Sequence, residues 1–324
     1  MPNYRRILLT GGTGFVGGYL APALAAAWPG AEKTLLRFPG ESVQREGWRA
    51  IDAQVTDGPA IARIVRDLQP DLVLHLAAQA AIGGSVAAEA TWRVNFGGTL
   101  ELAHACHRHV PDLTFFFVSS SEVYGRSFLD GAATEDTPPR PMNAYARSKV
   151  AAESMLPDVL PQARIVIARP FNHTGPGQDT RFVLPSLAAQ IADVEAGRRS
   201  PRLEMGNLSA RRDFLHVRDV CAAYLDMLAA PTEPGRPAVY NVASGASYRI
   251  ADLVEKFRAQ AKQPFEIVVD PARLRPSDVP LAIGSSARLQ AATGWAPTVD
   301  IDGIISSLLE YWRSKNAEGS SPAA

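Results

Sequence analysis

The sequence contains few cysteines, no excess of either charge and no long hydrophobic run. Two cysteines among 324 residues, Cys106 and Cys221, cannot form a disulfide framework, which predicts a reducing, cytoplasmic location. The 33 basic and 33 acidic side chains cancel, so the chain is not built to coat nucleic acid or an anionic membrane. No stretch reaches the roughly 20 apolar residues of a membrane helix, and glycines within residues 10–18 interrupt any N-terminal signal sequence. We therefore expect neither nucleic acid nor a membrane as a partner.

Short apolar segments alternate with helical patterns along the first half of the chain. At 46% hydrophobic and 20% charged residues, a chain of this length forms one large domain or two unequal ones. Continuous apolar strands between helices are typical of a parallel sheet covered on both faces, so we predict an α/β fold with a doubly wound sheet. The predicted strands are residues 6–9, 34–36, 49–53, 72–76, 114–119, 165–168 and 265–269. The predicted helices are residues 14–27, 61–68, 86–108, 143–155, 184–196, 217–228 and 250–261.

A glycine-rich turn follows the first predicted strand and opens a helix. Gly11 permits a tight turn, Gly14 lets the backbone approach a pyrophosphate, and Gly17 allows the helix to pack closely on the strand. Free amide groups at the helix N-terminus can then bind the phosphates. Because the spacing stands between a strand and a helix, it predicts a dinucleotide site rather than a turn without a ligand. The same turn contains Thr13, Phe15 and Val16.

The end of the second predicted strand bears on the choice of cofactor. An acidic side chain there would bind the ribose 2′-hydroxyl of NAD, but the segment from Lys33 to Phe38 has none. Arg37 can pair with a 2′-phosphate, since a guanidinium matches phosphate oxygens. The sequence therefore favours NADP(H), with NAD(H) as the alternative if Arg37 is only a solvated surface residue.

Tyr145 and Lys149 stand four residues apart in a predicted helix, which places both on one face. A cation beside a phenol favours the ionised form and lowers its pKa. The pair therefore predicts a tyrosine that acts as a general acid or base near neutral pH. Taken alone, such a pair also arises by chance.

Polar residues also follow the apolar strand at residues 114–119, where parallel sheets bind ligands. Together with the glycine turn, this arrangement resembles the extended short-chain dehydrogenase/reductase family of nucleotide-sugar enzymes over nearly the whole chain. The supporting residues are Gly11, Gly14, Gly17, the segment from His75 to Ala78, Asn95, Ser120, Glu122, Tyr145 and Lys149.

The resemblance implies roles for individual residues. Tyr145 is expected to be the proton donor, Lys149 to hold the nicotinamide ribose and Ser120 to bond the reacting oxygen. Gln54 stands where many members have an aspartate near the adenine, so this contact departs from the family pattern. The other residues expected to line the cofactor are Val55, Leu76, Ala77, Ala78, Gln79, Asn95 and Pro170.

Three later segments, residues 169–178, 206–214 and 275–280, resemble GDP-6-deoxy-4-keto-mannose reductases, which form GDP-D-rhamnose. Asn172, Arg212 and Arg275 offer donors to a diphosphate, and Asp278 offers an acceptor to a ribose or base. The implied substrate is a GDP-linked deoxy-keto sugar, reduced at its C4 ketone. Further expected substrate contacts are Ser121, Glu122, Gln178, Val183 and Asn207.

Two alternatives stay open. The first is a GDP-mannose 4,6-dehydratase or another nucleotide-sugar epimerase or dehydratase. The GDP-mannose 4,6-dehydratases share part of the pattern, and Glu122 stands where a dehydratase keeps an acid/base, although the reductases keep a glutamate there too. A non-catalytic dinucleotide-binding sensor is the other alternative; such proteins often lack the tyrosine or the lysine. The sequence does not determine the C4 stereochemistry of the product, so the C4 epimer of GDP-D-rhamnose stays open as well.

The resemblance and the looser pattern after residue 169 imply two unequal domains. Residues 1–170 are expected to form a Rossmann-like NAD(P)-binding domain, to which 210–245 return. Residues 171–209 and 246–316 are expected to form a smaller C-terminal α/β substrate-binding domain, and 317–324 a flexible tail. A homodimer is implied through helices near 86–108 and 143–155. No metal site is expected, since His104 and His107 share a helix face that excludes Cys106.

Overall fold

The computed structural model describes residues 2–79, 87–271 and 279–318. Within these residues, the strands, numbered along the chain, are β1 (Arg6–Thr10), β2 (Glu32–Arg37), β3 (Arg49–Asp52), β4 (Leu72–His75), β5 (Thr114–Val118), β6 (Arg164–Pro170), β7 (Asn172–Thr174), β8 (Arg202–Met205), β9 (Arg211–Arg212), β10 (Phe214–His216), β11 (Ala238–Val242), β12 (Tyr248–Arg249), β13 (Glu266–Val269) and β14 (Leu281–Ala282). The helices are α1 (Phe15–Ala27), α2 (Gly58–Leu68), α3 (Ala88–Trp92), α4 (Gly98–His109), α5 (Ala144–Val159), α6 (Val183–Glu195), α7 (Val217–Ala229), α8 (Ile250–Gln260), α9 (Ala287–Thr293) and α10 (Ile301–Glu318).

Seven of the described strands form one parallel sheet in the order β3-β2-β1-β4-β5-β6-β11. The inner strands are apolar on both faces: all of β4 is buried, and so are Phe115, Phe116 and Phe117 of β5. Helices cover both sides, which is why these strands lack the alternation of a half-exposed sheet. The predicted α/β, doubly wound, Rossmann-like fold is confirmed.

The chain order reverses between β1 and β4, which lie side by side at the centre of the sheet. Ligands of open α/β sheets bind in the crevice outside the carboxyl ends of the strands at such a reversal. The turn after β1 and the polar residues after β4 and β5 all reach this edge. The sheet therefore brings together three segments that are far apart in sequence.

Strand β11 is absent from the predictions and pairs with β6 in the main sheet. Helix α7 precedes it and packs beside α1 through Val220, Ala223 and Tyr224. Segment 210–245 thus adds strand β11 to the main sheet and helix α7 to the helices that cover it. Local sequence patterns indicate β11 only weakly, because a single short apolar run between prolines and glycines resembles a loop.

The rest of the chain forms a second hydrophobic cluster beneath short strands. Helices α6, α8 and α10 bury Leu187, Leu253 and Leu308 against one another. Strands β7–β10, β8–β13 and the trio β12–β9–β14 form small separate sheets. Helix α10 extends to Glu318, so residues 317 and 318, predicted as flexible tail, are helical, and 319–324 lie outside the described residues.

The helix predicted at 86–108 is interrupted. Residues Arg93–Gly97 form a π-helical turn between α3 and α4, and Asn95 is buried in that turn. Such turns often occur at functional sites, because the extra residue redirects a side chain. Throughout the described part of the chain, no helix has the length and apolar content needed to cross a membrane.

Candidate active site

The glycine turn packs against the end of β4. Gly11 has φ +71°, and a Cβ there would lie 2.6 Å from the amide nitrogen of Ala77. At Gly17 a Cβ would lie 2.4 Å from the Cα of Gly12, so helix and turn touch backbone to backbone. Both positions exclude a larger residue for steric reasons.

Gly14 caps helix α1 with no side-chain hydrogen bond, and the first turn of the helix has no acidic residue. A Cβ added at Gly14 would point outward and approach the carbonyl oxygen of Gly11 at 3.4 Å. The turn therefore leaves a cradle beside the positive end of a 13-residue helix, which fits the pyrophosphate of a dinucleotide. Thr13 belongs to this turn, and Phe15 and Val16, the first residues of α1, pack against the core.

A chain of hydrogen bonds fixes the end of β4. Thr99 donates its hydroxyl proton to the carbonyl of Asn95 (2.6 Å), so the ring Nε2 of His75 donates to Thr99 Oγ1 (2.9 Å). His75 Nδ1 then accepts from Thr10 (2.7 Å), and Thr10 Oγ1 accepts from the amide of Ala77 (3.2 Å). Burial lowers the pKa of His75 to about 3, which keeps the ring neutral as this chain requires.

Asn95 acts on the same segment from the other side. Its Oδ1 accepts from the amide of Gln79 (2.7 Å), and its Nδ2 donates to the carbonyl of Gln79 and to Ser148 Oγ, each at 3.2 Å. The predicted cofactor residue Asn95 therefore positions Gln79 and the residue before Lys149. Leu76, Ala77 and Ala78 lie between these anchors at the carboxyl edge of the sheet.

The adenosine end of the cofactor is expected to lie beside the segments that follow β2 and β3. Gln54 is exposed and Val55 half-buried just beyond β3. Arg37, predicted to bind a 2′-phosphate, instead forms a bidentate pair with Asp52: its Nε lies 2.6 Å and its Nη2 3.2 Å from the carboxylate oxygens. The two residues are register partners on β2 and β3. The role assigned to Arg37 stays a prediction, and its guanidinium already has a carboxylate partner.

Ser120 and Tyr145 meet at the carboxyl end of β5. Ser120 is extended, its Oγ accepts from the amide of Glu122 (3.1 Å), and its hydroxyl lies near enough to Tyr145 to lower the pKa of that phenol. Ser121 is buried in the short 3₁₀ turn that follows. Tyr145 lies one residue into α5, where Asn143 Oδ1 caps the helix by accepting from the amide of Ala146 (2.8 Å). The predicted serine and tyrosine thus come from adjacent elements, and their catalytic roles stay a prediction.

Lys149 lies on the same face of α5 but is directed into the protein. Its Nζ donates to the carbonyl of Val118 (2.7 Å) and lies 4.7 Å from the Phe117 ring centroid and 5.9 Å from that of Tyr145. Burial lowers the pKa of Lys149 to about 7, against the opposing effect of Glu153. The ammonium is therefore only partly populated at neutral pH in the protein alone.

The expectation that Lys149 lowers the pKa of Tyr145 is wrong for the protein alone. Burial raises the pKa of Tyr145 well above its ordinary value, the charge of Glu122 raises it further, and the hydrogen bond from Ser120 opposes them. The physical reason is that desolvation, which disfavours the phenolate, is the largest effect at this side chain.

Glu122 lines the cleft beside Tyr145. Asn143 Nδ2 donates to its Oε2 (2.9 Å), so the residue that caps α5 also holds this carboxylate. The side chain still reaches solvent, but the surrounding protein desolvates it enough to raise its pKa, while Asn143 and the charge of Arg212 lower it. Arg212, on β9, is half-buried, and its positive charge interacts with the Glu122 carboxylate. Sequence reasoning missed Asn143, although an asparagine before a helix is a typical N-cap.

The other predicted substrate residues lie on different elements. Asn172 is exposed at the start of β7, Val183 is half-buried at the start of α6, and Asn207 is exposed, with its Oδ1 bound to Ser209. Gln178 is buried: its Nε2 donates to the carbonyl of His173 (3.0 Å), and its Oε1 has no partner among the described residues. Pro170 ends β6. Arg275 and Asp278 lie outside the described residues.

Asp213 is a residue that sequence reasoning left without a role. Its carboxylate accepts from the amides of Ser244 (2.9 Å) and Gly245 (3.1 Å) and from the Ser244 hydroxyl (2.7 Å). It also reaches the amide of Gly284 at 3.5 Å. One buried carboxylate thus joins three segments next to Arg212.

A buried ion pair lies behind Lys149. Arg169, on β6, donates from Nε to both carboxylate oxygens of Glu153 (3.1 and 3.2 Å) and from Nη1 to the Tyr124 hydroxyl (3.0 Å). Tyr124 in turn donates to Asn241 Oδ1 on β11 (2.7 Å). This network ties α5 to the sheet one helical turn beyond Lys149. In the described part of the chain, no three His, Cys, Asp or Glu side chains are grouped to hold a metal ion.

A family model described as GDP-mannose 4,6 dehydratase matches residues 8–308. The chain belongs to this family. Its predicted membership of the extended short-chain dehydrogenases/reductases is thereby confirmed. The chain is 38% identical to GDP-6-deoxy-D-mannose reductase of Pseudomonas aeruginosa, with 97% of this chain and 99% of that protein aligned.

Solved structures of the family agree with the fold. RMD from Pseudomonas aeruginosa, complexed with NADPH, matches with a TM-score of 0.80 and 34% identity over 96% of this chain and 99% of that one. UDP-glucose 4-epimerase of Thermus thermophilus, in complex with NAD, matches with a TM-score of 0.81 and 29% identity over 95% of this chain and 99% of that one. The family thus includes structures with either dinucleotide.

Proposed function

We propose that the protein is an NADPH-dependent reductase that converts the C4 ketone of GDP-4-keto-6-deoxy-D-mannose to an alcohol, forming GDP-D-rhamnose or its C4 epimer. The observation that carries the proposal is the 38% identity to a GDP-6-deoxy-D-mannose reductase across 97% of the chain. It is supported by a site in which the residues for carbonyl reduction converge on the carboxyl edge of the sheet. NADP(H) is favoured over NAD(H), in line with the NADPH bound to the Pseudomonas structure.

Tyr145 is the proton donor. Reduction of a ketone requires a protonated acid next to the developing alkoxide. Burial raises the pKa of Tyr145, so the phenol keeps its proton at neutral pH until the alkoxide forms. Ser120, near the same hydroxyl, donates to the ketone oxygen and holds it beside Tyr145. When bound, the nicotinamide supplies the hydride to the C4 carbon.

Lys149 positions the nicotinamide end of the cofactor. Its Nζ is anchored to the carbonyl of Val118 at the end of β5 and keeps further N–H donors for the ribose hydroxyls. New hydrogen bonds to the charged form raise a lysine pKa, so ligand binding favours the ammonium. The ammonium then stabilises negative charge on the nearby phenol during proton transfer.

Glu122 and Arg212 orient the sugar nucleotide. Glu122 accepts from Asn143 with one carboxylate oxygen and has its second oxygen on the cleft. Arg212 offers a cation to the diphosphate, and Gln178 has a buried acceptor for a sugar hydroxyl. The resemblance also implies substrate contacts from Asn172, Val183 and Asn207, and from Arg275 and Asp278, which lie outside the described residues.

A GDP-mannose 4,6-dehydratase is the second candidate, and Glu122 favours it. A carboxyl group with a raised pKa beside Tyr145 suits the acid/base role in water elimination. The two activities differ in cofactor balance, because a dehydratase regenerates its own cofactor whereas a reductase consumes NADPH.

One pair of assays decides between them. The purified protein is given enzymatically prepared GDP-4-keto-6-deoxymannose with NADPH, or GDP-mannose alone. Loss of NADPH absorbance with the keto sugar, and no change with GDP-mannose, supports the reductase. Conversion of GDP-mannose to the keto sugar without net cofactor change rejects it. If neither mixture reacts while NADPH binds, the non-catalytic sensor is supported instead. Product NMR then assigns the C4 configuration.

The assembly and location are also proposals. A homodimer through α3, α4 and α5 follows from the resemblance, and Trp92 on α3 is a large apolar side chain that is 37% exposed. A cytoplasmic location follows from the cysteines, since Cys106 and Cys221 are both buried free thiols. Size-exclusion chromatography with light scattering tests the dimer.

A further inference from the structure

Two arginines, Arg37 at the end of β2 and Arg45 in the segment that follows, are held differently. Arg37 is paired with Asp52 through two donors, and its side chain is only 17% exposed. A phosphate beside this pair would compete with a carboxylate and be repelled by it. Arg37 is therefore poorly suited to bind a second anion.

Arg45 comes from the segment between β2 and β3 and lies against the glycine turn. Its Nε donates to the carbonyl of Gly12 (3.2 Å) and its Nη2 to the carbonyl of Thr13 (3.3 Å). These carbonyls belong to the turn that approaches the dinucleotide. The half-buried guanidinium therefore lies directly beside the turn that is expected to hold the dinucleotide.

The segment that carries Arg45 is anchored. The amide of Trp48 donates to the carbonyl of Arg45 (3.0 Å), which closes a turn. The indole Nε1 of Trp48 donates to the carbonyl of Ala21 in α1 (3.1 Å), and the ring packs against the core beneath the sheet. The guanidinium is thus presented by a fixed loop rather than by a mobile surface residue.

Arg45 also keeps donor capacity. A guanidinium has five N–H donors. In the described part of the chain, Arg45 makes carbonyl contacts with three of its nitrogens at 3.2–3.5 Å and has no carboxylate partner. Neutral carbonyls are weaker partners than a phosphate dianion, which binds arginine through charge-assisted, often bidentate hydrogen bonds.

We propose that Arg45, rather than Arg37, binds the adenosine 2′-phosphate and makes the protein select NADPH over NADH. The 2′ substituent of the adenosine ribose lies at the end of β2, where NAD-binding folds place an acidic residue. The pyrophosphate lies apart from it, at the start of α1. The inference rests on the proposed use of NADPH and assigns the residue that recognises it.

Binding of NADPH and NADH, measured by isothermal titration calorimetry without any sugar nucleotide, tests the proposal. Arg45→Gln is expected to weaken NADPH binding by about tenfold or more and NADH binding by less than about twofold, because a charge-assisted hydrogen bond is lost from one ligand only. The matched variant Arg37→Gln is expected to leave the NADPH/NADH affinity ratio within about threefold of the parent.

Three results would overturn the proposal: unchanged selectivity in Arg45→Gln, an equal loss for both cofactors, or a collapse of selectivity in Arg37→Gln. If Arg45→Gln does not fold, the parent protein is modified with phenylglyoxal. The proposal predicts that NADPH protects Arg45 from modification and that NADH does not, as measured by mass spectrometry. Equal protection by the two cofactors counts against the proposal. Because no sugar is present, a failure of the reductase assignment would leave these binding results unaffected and is detected separately.

Discussion

The cofactor side and the sugar side of the cleft are built in opposite ways. On the cofactor side, the proposed site is made of backbone groups: the turn at Gly11, the uncapped start of α1 and the fixed end of β4. On the sugar side, side chains project from strands only two or three residues long, such as β7, β9 and β14. A long parallel sheet fixes the first region, whereas hydrogen bonds that the Asp213 carboxylate accepts hold the second together.

This difference assigns separate functions to the two regions. A backbone cradle recognises what all dinucleotides share, the pyrophosphate, and so tolerates little change in shape. A surface of side chains on short strands changes its ligand when a few residues change. Substitutions on the cofactor side should therefore weaken folding, cofactor binding or both, while those on the sugar side should alter substrate affinity alone.

The largest effect is expected where the two regions meet, at Tyr145. Tyr145→Phe removes the proton donor and keeps the ring, so kcat should fall by about 100- to 1,000-fold, the range of a lost general acid. Calorimetry should show GDP and NADPH affinities within about twofold of the parent, since no packing is lost. An active Tyr145→Phe enzyme would remove this residue from the mechanism.

Two glycine substitutions in one turn separate folding from binding. In Gly17→Ala, the new Cβ would meet Gly12 backbone at 2.4 Å, so the free energy of unfolding should drop by about 1–3 kcal/mol. In Gly14→Ala, the Cβ has room at 3.4 Å from the nearest oxygen, so stability should stay within about 1 kcal/mol of the parent. The same Cβ enters the pyrophosphate cradle, however, and should weaken NADPH binding.

Chemical denaturation and NADPH titration of both glycine variants check this pair. Equal stability of the two variants would show that the close contact at Gly17 does not constrain the turn. Unimpaired NADPH binding by Gly14→Ala would place the pyrophosphate elsewhere.

The buried ammonium of Lys149 makes stability of the protein alone depend on pH. The folded-state pKa of Lys149 is about 7, below the unfolded value of about 10.4, so between these values the unfolded chain binds more protons. Stability therefore rises with pH, by about 2 kcal/mol between pH 7 and 9. In Lys149→Met this rise should be missing.

Urea unfolding at pH 7, 8 and 9 measures the difference between the parent and Lys149→Met. The matched control is Lys256→Met, because Lys256 is a surface lysine paired with Asp302 and should leave the rise intact. A rise that persists in Lys149→Met would mean that another group titrates.

The smallest expected effect is on the sugar side. Asp213→Asn keeps the shape of the side chain but removes the negative charge that strengthens its hydrogen bonds with the amides of Ser244 and Gly245. The KM for the sugar nucleotide should therefore rise by about tenfold. NADPH affinity should stay within about twofold, measured by titration. The exposed Asp252→Asn serves as the control, and a larger loss of NADPH than of sugar binding would contradict the separation of the two regions.

The same contrast explains what could be predicted from the sequence. The glycine turn and the Tyr145–Lys149 spacing lie in contiguous segments, so their geometry follows from local rules of strands and helices. Asp213 and Arg45 act on segments distant in sequence, which no local pattern reveals. The direction of the Tyr145 pKa was predicted wrongly because desolvation depends on the whole surrounding fold.

The most direct test of the reductase assignment follows the hydride itself. NADPH carrying deuterium in place of both nicotinamide C4 hydrogens is incubated with the protein and GDP-4-keto-6-deoxymannose, and the product is examined by mass spectrometry and NMR. A reductase predicts one deuterium per product, at C4 of the sugar, for each NADPH consumed. A product without deuterium at C4, or no consumption of NADPH, would contradict the assignment.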